Sequence, residues 1–313
     1  MIRIESVPAL ATILGTTEGN LYRLVRQRER LYKYDFILKP NGGKREFYKP
    51  KPVLKDVQRK IDKTLLSRFR VNSLVYGFVK GRSIWNCARV LVGCPCLLWF
   101  DIQAFFPSIT SARVHRFFSR ISRSKVADVL TDLTTYKDQL PQGPPTSPRL
   151  SNLTNASLDN RLGGLARAHN LKVARYGDDI YFGGNRWIPN LQKEVIKIVK
   201  EEGYVINEEK AKKGGVRFQS EPQVVLSSLI VNQQVSITSD YYDEVWAALE
   251  FVRRFGWEAA ISAKFVKSRE SIRGKIGHVQ RASKIKGAKL LRMFELLADG
   301  SRDRSGGQQE QGL

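Results

Sequence analysis

An α+β protein with an antiparallel strand core and helical ends is what the sequence predicts, on three observations. The apolar run Leu97-Leu98-Trp99-Phe100 ends in Asp101, and the stretches 172–174 and 180–182 flank Tyr176-Gly177-Asp178-Asp179. Short runs bounded by turn residues read as strands, and the second pair as a hairpin. Apolar residues recur at helical spacing on either side, through 7–31 and 52–69 before the strands and 240–297 after them. The charge is divided in the same way. Of a net +23 from 53 Lys and Arg against 30 Asp and Glu, the segment 21–70 carries +11 and 251–290 carries +9. A nearly neutral middle therefore lies between two basic arms.

With 313 residues, 42% of them hydrophobic, the chain can bury one or two packed cores. Its positive excess points to a polyanionic partner, nucleic acid first among them. Cys87, Cys94 and Cys96 lack a fourth ligand at zinc spacing, and the three histidines are scattered. Buried thiols in a reducing cytoplasm are expected, without a disulfide framework. Residues 1–12 lack the apolar core of a signal peptide, and no run reaches membrane-spanning length.

In chain order, Leu10, Ile13 and Leu14, then Leu21, Leu24 and Val25, mark two short helices. Strands at 35–39 and 45–48 turn at Pro40-Asn41-Gly42-Gly43, which puts Lys44 and Arg45 at a hairpin tip. Leu54, Val57, Ile61, Leu65 and Leu66 form the apolar stripe of a helix. The strand 97–102 delivers Asp101 to its mouth. Ser111 caps a helix facing inward with Val114, Phe117, Phe118 and Ile121, and another helix covers 125–136. The Pro-rich loop 140–148 ends at Ser147-Pro148, an N-cap and first-turn pair for a helix running to Ala168. After the hairpin, a helix over Leu191, Val195, Ile198 and Val199 stops at Gly203, and 204–207 is extended. Strands 224–231 and 235–238 precede the basic helical region, and the tail 301–313 reads as disordered.

Adjacent carboxylates at a hairpin tip repel unless a cation neutralises them. If the strand ending at Asp101 neighbours the hairpin, Asp101, Asp178 and Asp179 meet in one cluster able to hold two magnesium ions for phosphoryl transfer. A solvated turn is the plain alternative.

Three segments in order, Asp101-Ile102-Gln103-Ala104-Phe105-Phe106-Pro107-Ser108-Ile109, Gln142-Gly143-Pro144-Pro145-Thr146-Ser147-Pro148 and Tyr176-Gly177-Asp178-Asp179, resemble the palm motifs of reverse transcriptases. Residues 42–50, Tyr76-Gly77-Phe78, Gly81-Arg82-Ser83-Ile84 and 203–210 resemble the bacterial retron-type branch. The likeness spans about 31–291. Three positions depart from that branch: Asn86-Cys87-Ala88-Arg89-Val90 lacks the usual histidine, Val225-Leu226-Ser227 stands where Val-Thr-Gly is common, and Gly177 stands where alanine is commoner.

The resemblance implies a right-hand polymerase fold. Its parts are a basic helical segment (1–34), fingers (35–96), an antiparallel, RRM-like palm (97–234), a helical thumb (235–299) and a tail (300–313). It implies an RNA-directed DNA polymerase with Asp101, Asp178, Asp179 and the carbonyl of Ile102 as ligands of two Mg2+ ions. Lys44 and Arg45, with Lys39 on the opposite side of the finger hairpin, contact the incoming triphosphate; Gln142 and Gly143 line its pocket; Lys210 protonates the departing pyrophosphate. Phe106 lies beneath the sugar and leaves no room for a 2′-hydroxyl, which favours deoxynucleoside triphosphates. In the thumb, Arg253, Arg254, Lys264, Lys267, Arg273, Lys275, Lys284 and Lys286 grip nucleic acid through its phosphates. The partners implied are a structured non-coding RNA serving as template and primer, its DNA product, and an effector protein encoded alongside, with no membrane. A retron enzyme making RNA-linked multicopy DNA in anti-phage defence fits a chain with no room for a nuclease or maturase domain. Another defence-associated or group II intron-like reverse transcriptase, or an idle RNA-binding scaffold, remains open.

Overall fold

The computed structural model describes residues 3–38, 42–185, 190–207 and 215–299. Its contacts divide the chain into two compact units, Met1–Phe218 and Gln219–Leu313.

In the first unit, α1 (Val7–Ile13) and α2 (Glu18–Arg26) begin at Ser6 and Thr17, whose side chains accept from backbone amides three residues on. Strands β1 (Tyr32–Leu38) and β2 (Lys44–Pro50) pair antiparallel from Tyr32↔Pro50 to Leu38↔Lys44. Most of this ribbon is exposed. Its base is anchored where the buried Gln58 of α3 (Pro52–Thr64) donates to the Tyr32 hydroxyl (2.9 Å) and to the Leu133 carbonyl (2.8 Å). Helix α4 (Ile84–Leu91), capped by Ser83, buries Trp85, Cys87, Ala88 and Leu91. Cys94 and Cys96 are buried too.

The central sheet has β3 (Cys96–Asp101) inside, with β4 (Lys172–Tyr176) and β5 (Asp179–Gly184) on one side and β6 (Val216–Phe218) on the other. All its pairings are antiparallel. Because β3 is covered on both faces, it is apolar throughout rather than alternating. The covering helices are α5 (Ser111–Ser119), α6 (Ser124–Thr134), α7 (Ser147–Leu153), α8 (Ala156–Ala168) and α9 (Leu191–Glu201), which share one core with the sheet.

Several local expectations are corrected. Thr110 rather than Ser111 caps α5, and Ser147 is the first residue of α7 rather than its cap. The helix expected through Ala168 breaks before Ala156. There the buried Asn155 accepts from Arg113 (3.1 Å) and from the Tyr204 hydroxyl (2.5 Å), contacts that draw it out of the helical path. Helix α4 and strand β6 were not expected at all.

The second unit holds a three-stranded antiparallel sheet, β7 (Val224–Val225), β8 (Leu229–Ile230) and β9 (Ser236–Ile237). The strand expected over 224–231 is split by Leu226 and Ser227, both at positive φ. Helices α10 (Ser239–Ser262), α11 (Arg269–Ala282) and α12 (Lys284–Asp299) enclose a second core that includes Val245, Leu249, Trp257, Ile276 and Leu290. Helix α10 is interrupted at Gly256. The division at 218/219 groups the small sheet with these helices, whereas the sequence reading began the thumb at 235. No helix among the described residues is long and apolar enough to cross a membrane.

Candidate active site

Strand pairing brings the aspartates together. Asp101, the last residue of β3, stands opposite Asp179, the first of β5, and Tyr176 pairs with Asp179 so that Gly177 and Asp178 form the turn. The Asp101 carbonyl accepts from the Asn207 amide (2.8 Å) and the Gln103 amide donates to Val205 (2.8 Å). Ile102, between them, therefore turns its amide and carbonyl to the other edge, where its amide donates to the Asp178 carbonyl (3.0 Å). Asp101 is buried, and Asp178 and Asp179 are half-buried.

These residues floor a cleft of about 950 Å³ lined by Asp101, Ile102 and Asp178, by Lys44 and Arg45 from β2, and by Phe78 and Phe106. Gln142 and Gly143 also line it, tied to the ribbon by a bond from the Tyr48 amide to the Gln142 carbonyl (2.8 Å). A side chain at Gly143 would begin 2.9 Å from the Tyr48 carbonyl, at φ +124°, so the loop fits there only as glycine. The Asp179 carboxylate is engaged elsewhere: it accepts from the Trp99 indole at 2.8 Å.

Among the described residues, no group of three His, Cys, Asp or Glu side chains is arranged to hold a metal ion. The cleft floor offers two carboxylates, Asp101 and Asp178, and the Ile102 carbonyl. Hard oxygen donors of that number suit magnesium, which completes its shell with water and substrate phosphate.

The chain belongs to the reverse transcriptase family. The family described as "Reverse transcriptase (RNA-dependent DNA polymerase)" matches residues 37–224, more than half of the chain. The retron Mx65 reverse transcriptase of Myxococcus xanthus is 35% identical over 228 residues, covering 65% of this chain and 53% of that one. The retron Ec86 reverse transcriptase of Escherichia coli is 31% identical over 217 residues, covering 68% of this chain and 67% of its own length. The chain thus spans about half to two-thirds of these relatives. Among solved structures, the telomerase from Candida albicans, in complex with a fragment of telomeric RNA, has a TM-score of 0.48 at 11% identity, covering 83% of this chain and 56% of that one. As a retron-type reverse transcriptase, the chain has the right-hand polymerase fold of its family.

Of the other residues singled out from sequence, Lys39 and Lys210 lie outside the described residues, as does the tail from 300 onward. In the second unit, Arg253 pairs with Glu250 (3.0 Å) and Lys275 with Glu244 (2.5 Å). Arg273 lies over Phe294 and Lys286 over Tyr242. Arg254, Lys264, Lys267 and Lys284 are exposed. Sequence reasoning missed Trp99 as the partner of Asp179, since an aromatic residue in an apolar strand reads as core. It also gave Phe78 no role, although the motif Tyr76-Gly77-Phe78 marks the place. Phe78 is 44% exposed, holds φ +61° and meets Phe106 with ring centroids 5.8 Å apart. A bulky residue at positive φ beside a cleft is strain of the kind that gathers at functional sites.

Proposed function

We propose that this chain is an RNA-directed DNA polymerase of the retron type, which copies a structured non-coding RNA into single-stranded DNA. The observation that carries this reading is the convergence of Asp101 and Asp178 on the floor of one cleft, with two cations and an aromatic wall around them. Bound magnesium, as two ions held by Asp101, Asp178, Asp179 and the Ile102 carbonyl, would supply activation of the attacking hydroxyl and charge neutralisation on the departing pyrophosphate.

The chain's own residues do the rest. Lys44 and Arg45 attract and orient the triphosphate. The backbone of Gln142 and Gly143 shapes the nucleotide pocket. The Phe106 ring packs under the sugar and excludes a 2′-hydroxyl, so the product is DNA. Lys210 donates a proton to the pyrophosphate. The basic residues of the second unit, Arg254, Lys264, Lys267 and Lys284 among them, hold RNA by its phosphates. The cellular setting that fits is a cytoplasmic enzyme making RNA-linked DNA for anti-phage defence beside an effector protein.

The test is primer extension by the purified chain on a defined RNA template with Mg2+, comparing the parent with Asp101→Asn and Asp178→Asn. Each variant is expected to lose DNA synthesis by at least about a hundredfold. Synthesis persisting in both would refute the reading.

A further inference from the structure

Arg175 is the largest fully buried side chain among the described residues, and its ion pair with Asp159 has no exposure on either side. Removing both ions from water offsets most of their attraction, so such a pair contributes little net stability. Its remaining contacts suggest what it does instead.

The guanidinium donates to both Asp159 oxygens (2.6 and 2.8 Å), to the Gly177 carbonyl (2.9 Å) and to the Asn152 side-chain oxygen (3.3 Å). Asn152 in turn donates to the Gly77 carbonyl (2.9 Å). The Arg175 backbone bonds to Leu74 and Tyr76 (2.8 Å each), and its guanidinium carbon lies 5.7 Å from the centre of the Phe105 ring. Through its guanidinium, its backbone and Asn152, this one buried residue thus links three separate segments that reach the cleft: the turn bearing Asp178, the segment leading to Phe78 and the loop from Asp101 to Phe106.

We infer that Arg175 and Asp159 are a positioning pair: by holding the Gly177 carbonyl they set where the Asp178 carboxylate stands against Asp101 and Phe106. Neither touches substrate. The inference rests on the reading of this cleft as the nucleotide-transfer site.

The test uses the full chain with Arg175→Met and Asp159→Leu together, an apolar replacement of the kind buried ion pairs tolerate. Thermal unfolding, Mn2+ affinity by electron paramagnetic resonance and steady-state deoxynucleotide incorporation are measured. The double variant is expected to unfold within a few degrees of the parent, to bind Mn2+ about tenfold more weakly and to lose about a hundredfold in kcat. The KM for nucleotide is expected to move much less. A folded double variant with parental Mn2+ affinity and parental kcat overturns the inference. If the double variant does not fold, Arg175→Lys gives the same comparison, because one ammonium cannot span Asp159 and the Gly177 carbonyl together. Failure of both to fold would make the pair a stability element and overturn the inference as well. A parent that binds Mn2+ but makes no DNA would instead refute the polymerase reading, and the Mn2+ comparison would still judge the brace.

Discussion

Phe106 is half-buried, with ring centroids 5.6 Å from Phe105 and 5.8 Å from Phe78, so the cleft beside Asp101 is walled by aromatic carbon. Phe106→Ala would open that wall, and ribonucleotide use relative to deoxynucleotide use is expected to rise by about tenfold in single-nucleotide incorporation assays. An unchanged ratio would leave Phe106 a core residue. Gly77 lies against the turn bearing Asp178, where an added Cβ would sit 2.6 Å from the Gly177 amide nitrogen. Gly77→Ala must therefore displace the turn, and a loss of about a hundredfold in DNA synthesis is expected while the protein still folds cooperatively. Burial, with a smaller contribution from the Asp179 charge, pushes the Cys87 thiol up to about 12, and burial also raises Cys94 and Cys96. Thiols so far from ionisation are poor nucleophiles. Native protein at pH 8 is expected to react with a disulfide reagent only as fast as it unfolds, which the denaturant dependence of labelling would reveal.

The register of β3 on β5 is the element that matters most, because the pairing Asp101↔Asp179 puts both carboxylates on one face and a one-residue slip would part them. Outside that ladder, the Asn207 and Gln103 bonds tie the end of β3 to residues 205–207, and the short bridge between Val75 and Arg175 ties β4 to the segment before Phe78. In the second unit, α11 meets the small sheet through His278, whose ring lies 3.2 Å from the Ser228 hydroxyl and packs on Tyr241. Burial, and then the Arg281 charge, lower the His278 pKa from its ordinary 6.5. The native ring therefore resists a proton that the unfolded chain accepts. Its contribution to stability is complete above pH 6.5 and is lost as pH falls below that value. Thermal unfolding of the second unit is expected to become easier between pH 7 and pH 5, and His278→Gln should flatten that dependence.

For the molecule as a whole, +23 of net charge makes the proposed RNA binding dependent on ionic strength. Raising monovalent salt from about 50 to about 200 mM is expected to weaken binding of a structured RNA by about a thousandfold in filter-binding assays. A shallow slope would mean that the basic arms are solvated faces rather than phosphate contacts. The family and most element types were legible in the residues. Asp101, Phe106, Gln142 and the Tyr176–Asp179 hairpin lie in contiguous motifs, and helical and strand periodicity is a local property of the chain. Contacts between distant residues were not legible. Strand β6 has three residues and too short a span to show a period, and it exists because β3 offers it an open edge. The break at Asn155 depends on side chains from other segments, Arg113 and Tyr204. The engagement of Asp179 by Trp99, 80 positions away, and the buried bracket of Arg175, Asp159 and Asn152 leave no pattern in the sequence. Residue order fixed which groups can do the chemistry, since motif and periodicity are written along the chain. Their orientation was settled by folding, because desolvated charges and hydrogen bonds are arranged by whatever packing brings beside them.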